Sequence, residues 1–230
     1  MSLESERSAH NDIVQIVQAL WDYLPQVLWG ALLFNLFCVP AFLLFALGLL
    51  VPTLLVAAVT IGPAWVALHA YLLPMMQGNV VRTAHFFHTW RKQWGRAARL
   101  GLLGSFPLLA LIITLPALQV EPVPRLVWIG LGADFLGCAV MAALLLYAFP
   151  LLIMQNDTVR VSLRNAFILA GRYPSNTLGL LAMGILFGFG IVYLSLGLLL
   201  ILPTIYNLFV LATCWQVLAL EQQRIDRELS

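Results

Sequence analysis

The sequence predicts an all-α fold: a polytopic membrane bundle of six transmembrane helices, with juxtamembrane amphipathic helices and both termini in the cytoplasm. Three observations predict it. Of the 230 residues, 62% are hydrophobic and only 10% are charged, where a soluble domain carries about 25% charged residues. From Tyr23 to Val81, and again from Tyr173 to Leu220, there is no Asp, Glu, Lys or Arg. A soluble fold cannot hide runs that long, because every surface helix needs a polar face. The cations, finally, cluster between and after these runs.

The spans fall near 27–48, 53–75, 100–120, 126–153, 177–199 and 203–220, each near the length of about 20 residues that a crossing needs. Turn-like breaks separate them: "LLVPT" around Pro52, "VEPVPR" at 120–125 and "LILPT" around Pro203. Pro40, Pro63, Pro107, Pro116 and Pro150 lie inside spans. There they kink a helix rather than end it, since neighbouring helices satisfy the freed carbonyls. The chain divides into an amphipathic N-terminal segment (1–26), the six-span domain (27–220) and a tail (221–230). The first 22 residues are polar and carry Glu4, Glu6, Asp12 and Asp22. That is the wrong pattern for a cleaved signal peptide, so the first span is expected to act as the insertion signal.

Orientation follows from the positive-inside rule. Arg82, Arg91, Lys92, Arg96 and Arg99 lie between spans two and three; Arg160, Arg164 and Arg172 lie between spans four and five. The tail adds Arg224 and Arg227, whereas the opposite connections hold only one cation, Arg125. The net charge of +2 says little; its placement says more. A bacterial inner-membrane protein with several crossings is the expected location.

The chain repeats itself. Residues 76–103 and 154–181 align without gaps and share Met, Gln, Val and Arg at "MQGNVVR" and "MQNDTVR", then "LGLL". Both copies run from the end of one span, through a polar segment, into the next. The repeat is therefore parallel, an arrangement found in some transporters but also in any duplicated hairpin.

Three segments that precede outgoing spans read as amphipathic helices along the inner leaflet. The first, 13–24, has Ile13, Val17, Leu20 and Leu24 on one stripe. The second gathers Val80, Phe87, Trp90, Trp94 and Ala98 on one arc, with Arg82, His85, His88, Lys92, Arg96 and Arg99 opposite; Arg91 adds to its charge. The third groups Val159, Leu163, Ala166, Phe167 and Ala170. Aromatics would sit at headgroup depth and the cations would meet anionic inner-leaflet lipids. The opposed faces argue against nucleic-acid binding, which needs cations and stacking aromatics on one platform.

No catalytic constellation appears. There is no Walker A, GxSxG or HExxH pattern, and no set of acids or Ser/His/Asp at one depth. His85 and His88 have helical spacing for two metal ligands, but zinc needs three or four, and no Cys, Asp or Glu lies between Gln77 and Arg99. Neither metal nor cofactor is expected, and an enzyme is not. Cys38, Cys138 and Cys214 read as small apolar residues.

The intramembrane polar candidates are Asp134, Asn207, Asn35 and His69. Asp134 is the lone acid within a span, about 12 Å deep at 1.5 Å per residue, with Tyr206, Asn207 and Ser195 at similar or shallower depth. Intramembrane acids are functional candidates by default. One carboxyl without a second acid or a lysine is thin for a relay, so a packing role is preferred. Asn35 and His69 could bond across the first hairpin. Gly184 and Gly188 make a GxxxG on span five, suited to close helix contact within the chain or in a homodimer.

At "TIGPAWVALHAYLLPMMQGNVVRTAHFFHTWRKQWGRAARLGLL", residues 60–103, the chain resembles the YesL family of small bacterial membrane proteins. The resemblance rests on the step Gly62-Pro63-Ala64, on Phe86, Phe87 and Arg91 in the following aromatic-basic helix, and on the glycine-bearing third span. "VSLRNAFILAGRYPSNTLGLL", residues 161–181, fits the family's second cytoplasmic segment, so most of the chain is covered. Members often accompany carbohydrate uptake and degradation genes. The resemblance thus implies a non-enzymatic accessory or scaffold beside a sugar ABC transporter. The alternative is a small transporter or channel in its own right, using Asp134. A permease subunit ranks lower, because "LRNAFILAG" lacks the glutamate of the permease loop; a lipid-sensing surface protein would rest on the amphipathic segments alone.

Overall fold

The computed structural model describes residues 23–79, 82–119 and 124–229. Among them the chain is helical without strands: α1 (Leu24–Ala46), α2 (Leu50–Met76), α3 (Thr83–Thr114), α4 (Arg125–Met154), α5 (Val159–Arg172), α6 (Pro174–Phe189) and α7 (Leu202–Leu229). Six helical stretches are long and apolar enough to cross a membrane. The predicted 13–24 helix, Val80 and the 1–26 segment lie outside the described residues, apart from the first turn of α1.

Glycine and proline set most boundaries. Gly48 (φ 74°) and Gly78 (φ 71°) take left-handed conformations after α1 and α2, where an L side chain would be strained. Pro124 caps α4 in an extended conformation. Pro174 occupies the first turn of α6, where its missing N–H costs nothing. Pro40, Pro63, Pro107 and Pro150 all sit inside helices.

α2 is the central helix, and all of 66–72 is buried. Phe34 and Cys38 of α1 pack on its Leu68 and Leu72, together with Phe86 of α3 and Leu211 of α7. A second cluster joins Val66 to Ala97, Leu100, Tyr147, Leu151 and Cys214. α2 and α3 meet at backbone distance. A Cβ on Gly101 would lie 2.4 Å from the Ala58 carbonyl oxygen, and one on Gly62 would lie 3.1 Å from that of Ala97.

Packing is uneven along the bundle. The buried residues of α4 all fall in 147–152, while Leu126, Ile129 and Leu136 in its first half are at least 67% exposed. Ile113 of α3 and Val192 beyond α6 are similarly bare. The dense end carries the basic turns, and the far ends of the middle spans splay. Lipid is as apolar as leucine, so such surface needs no protein cover in a bilayer.

Two elements depart from expectation. The second amphipathic segment is not a separate helix: α3 runs unbroken from Thr83 to Thr114, about 48 Å at 1.5 Å per residue. Nothing between Gly95 and Gly104 removes an N–H, so the helix continues. The fifth span, expected over 177–199, ends as α-helix at Phe189. A π turn (Gly190–Leu194), an extended Ser195 and a 3-10 turn (Leu196–Leu200) follow. Gly184, Gly188 and Gly190 weaken the helix here, and the Ser195 hydroxyl accepts from the Gly197 N–H at 3.1 Å. Asn35, midway along the 23 residues of α1, donates to the Leu199 carbonyl at 3.1 Å. The 3-10 turn therefore dips to the middle of α1, and α7 starts from there.

Candidate functional site

Polar chemistry gathers in two places: the basic end and the interior around α2 and α7. At the basic end, α3 turns one edge into the bundle. Phe86 is fully buried between Phe37 and Tyr71, with ring centroids at 5.8 and 6.5 Å. Trp90 is half-buried on Phe37 at 5.0 Å. Gln93, Ala97 and Leu100 continue the buried edge. Phe87 and Trp94, placed on the apolar arc by periodicity, are 46% and 41% exposed. The buried stripe thus keeps Trp90 and Ala98 of the predicted arc but turns toward Phe86, Gln93 and Ala97, where α1 and α2 pack on it. The signal was present: 86, 90, 93, 97 and 100 alternate steps of four and three, the seam of packed helices. A glutamine in the seam disguised it.

Gln93 has a specific partner. Its amide donates to Asn156 Oδ1 at 3.0 Å. Arg96 donates to the same oxygen at 3.2 Å and to the carbonyls of Asn156 and Asp157 at 3.5 Å. A cation thus sits just beyond the C-terminus of α4, where orphan carbonyls and the helix dipole favour it. Asn156 holds the turn in a left-handed conformation (φ 51°), which asparagine tolerates better than most residues. Asn165 of α5 donates to Gln155 Oε1 at 3.2 Å, which ties α5 to the same turn.

Outside this lock, Arg82, Arg91, Lys92, Arg99, Arg160 and Arg164 are exposed, as are His85 and His88. Arg172 departs from the group: it forms an ion pair with Glu221 of α7. Tyr173 donates to the same carboxylate at 3.3 Å. Partial burial, then the Glu221 charge, pushes the Tyr173 phenol up, so it stays a donor. Trp29 of α1 donates to Thr83 Oγ1 at 3.1 Å, which fastens the start of α3.

The interior candidates do not share one site. Asp134 accepts from Thr114 Oγ1 at 2.7 Å, linking α3 to α4 near their far ends. Asn207 is remote from it. Tyr206 donates to the Leu180 carbonyl at 3.1 Å, and neighbouring Thr177 meets Tyr147 at 3.2 Å. Tyr147 is about 20 Å further along α4 than Asp134 at 1.5 Å per residue. Asn35 and His69 do not bond to each other. Asn35 donates to Ala31 and Leu199 carbonyls, and His69 Nδ1 faces the Trp65 carbonyl at 2.9 Å. Gly184 serves packing inside the chain, with Tyr206 Oη 2.8 Å from where its Cβ would be; nothing approaches Gly188.

Among the described residues, no group of three His, Cys, Asp or Glu side chains comes together. Cys38 and Cys214 are buried and free. The apolar groove of about 480 Å³ beside Phe187, Tyr193, Leu198 and Leu202 lies at the far, splayed end. In comparisons with known proteins, no family model, no curated protein and no solved structure matches the chain.

Proposed function

We propose that this chain is a non-enzymatic accessory or scaffold subunit of the bacterial cell membrane, with both termini in the cytoplasm, and that its basic end docks to a sugar ABC transporter. The single observation carrying this reading is the lock of Gln93 and Arg96 on the Asn156 turn. It joins the two basic segments at one end of the bundle, where Arg82, Arg91, Lys92, Arg160 and Arg164 are exposed. Cations gathered at one end suit an acidic loop of a partner. The resemblance to YesL proteins supplies the partner class. The same cations face anionic lipid headgroups.

Transport through the chain itself has weaker support. Asp134 is satisfied by Thr114 and stands apart from the other interior polar groups, as a packing carboxyl would.

The experiment is affinity purification from native membranes of the organism that encodes the chain, with wild type and an Arg82→Gln/Arg91→Gln/Lys92→Gln variant. Arg96 is left intact because it holds the Asn156 turn. Wild type is expected to retain sugar-permease subunits, and the variant to lose them while still inserting. Wild type that retains none ends the reading.

A further inference from the structure

Asp134 lies where the bundle is least packed. It sits about 12 Å beyond Leu126 at 1.5 Å per residue, in a helix long and apolar enough to cross a membrane. No residue of α4 before Tyr147 is buried. At 3.6 residues per turn, this stretch has two sides. Trp128, Ile129, Phe135, Leu136 and Val140 are exposed on one. On the other, Gly130, Leu131, Gly137 and Cys138 flank Asp134, and all are partly exposed. α3 touches the flank of Gly130 and Gly137: a Cβ on Gly137 would lie 3.4 Å from the Pro107 side chain. The flank of Leu131 and Cys138 is left half covered.

Asp134 is also short of donors. Thr114 Oγ1 lies 2.7 Å from its Oδ2 and 3.0 Å from the Ala110 carbonyl oxygen. A hydroxyl has one proton, so these two acceptors compete for it, whereas a carboxylate accepts at about four lone-pair sites. Asp134 Oδ1 makes no hydrogen bond among the described residues. Thr204 and Asn207 also hold unpartnered atoms, but they are fully buried and shut off from any ligand. Asp134 is partly exposed, so a partner can reach it.

Chemistry sets what would meet it. Acyl chains carry no donor, and acids inside the apolar part of a membrane pair with a cation or another polar group there. A metal ion needs several ligands, and among the described residues no three His, Cys, Asp or Glu side chains gather. A second copy of the chain cannot supply the cation. No Lys or Arg occurs in 23–81, 100–119, 126–154 or 173–220, and two copies would set one Asp134 against the other. A protein segment that reaches this depth through lipid is a helix, because its backbone must satisfy itself.

We propose that the half-covered side of α4 around Asp134 is an intramembrane docking site for a transmembrane helix of a different membrane protein, one that presents a lysine or arginine at the depth of Asp134. The contact stands apart from docking at the basic end, and either can fail without the other.

Photo-crosslinking in native membranes of the organism that encodes the chain tests it. Benzoylphenylalanine is placed at Leu131, on the Asp134 side, or at Phe135, on the opposite side. Mass spectrometry of each adduct identifies what is joined. From Leu131 the expected adduct is a transmembrane peptide of another protein that contains Lys or Arg; from Phe135 it is lipid. Asp134→Asn keeps the shape and an acceptor for Thr114, and should lower the Leu131 adduct roughly tenfold or more. Leu131 adducts with lipid alone, with a second copy, or with a peptide free of Lys and Arg overturn the proposal. An undiminished yield in Asp134→Asn overturns it too. Should that variant fail to accumulate, the identity of the peptide joined to Leu131 decides by itself.

Discussion

At Gly78 and at Asn156, 78 residues apart, the chain makes the same left-handed turn. Each follows a Met-Gln pair at the end of an apolar helix, and each leads to an arginine and a new helix. From there the two copies part. The first becomes α3, unbroken for 32 residues. The second becomes α5, stops after 14 residues, and restarts as α6 at Pro174. The residue equivalent to Pro174 is Arg96, which continues its helix and reaches across to the second copy's turn. Proline has no N–H and disfavours helical geometry in the residue before it; Tyr173 accordingly sits at φ −119°, ψ 59°. One substitution at one repeat position thus separates a rigid strut from a hinged pair. The strut then holds the hinged pair by its turn.

The strongest way to break this contrast is Arg96→Pro, which gives the first copy the second copy's residue. It should cost about 3 kcal/mol or more, read by reversible denaturant unfolding, and should split α3. Pro174→Ala should cost less than about 1 kcal/mol, because the first turn of a helix tolerates either residue. Similar losses for the two would remove proline as the cause.

The next largest effect is expected where the hairpins pack. Gly101→Ala places a methyl 2.4 Å from a backbone oxygen of α2 and should cost about 2 kcal/mol. Its equivalent, Gly179, has nothing within 4 Å, so Gly179→Ala should be neutral or stabilising by up to about 1 kcal/mol. A lowered Tm for Gly101→Ala and an unchanged or raised one for Gly179→Ala are the expected pair.

Smaller effects sharpen the comparison at the turns. Gly78→Ala forces a side chain into the left-handed region at about 1 kcal/mol. At Asn156 the difficulty is different, since Asn156→Ala also removes the acceptor of Gln93 and Arg96. A double-mutant cycle of Asn156→Ala with Arg96→Ala should therefore show coupling, and Gly78→Ala with Arg96→Ala none. The smallest effect belongs to Glu221→Gln. The Arg172 side chain of that pair is 44% exposed, so the loss should stay below about 1 kcal/mol and shrink in high salt.

Much of the architecture was legible because it is written in local composition. Long uncharged runs mark the apolar helices, and left-handed glycines and prolines mark most of their ends. The repeat is visible as shared letters, and both copies turn through a left-handed residue, Gly78 and Asn156. The interior polar sites were less legible. Depth matches Asn35 to His69, yet its partners are the carbonyls of Ala31 and, 164 residues away, Leu199. Thr204 gives no signal in the sequence, since threonine is common in apolar helices and only burial makes it costly. The edge of α3 is legible only in part: periodicity finds the most apolar face, which includes the inward Trp90 and Ala98, while packing on α1 and α2 selects the face that also contains Gln93.

By itself the sequence determined that the described residues form a bundle with six long apolar helices, where the cations concentrate, and that two segments share letters at a spacing of 78. These are properties of composition and spacing, and they act over a turn or two of helix. Only the tertiary structure decided that Arg96 bonds the second copy's turn, that span five breaks and dips to Asn35, and that Thr204, Asn207 and His69 are sealed without partners. Those outcomes depend on which helices become neighbours and at what height. Residues far apart in the chain decide that, through close contacts such as Gly101 on Ala58.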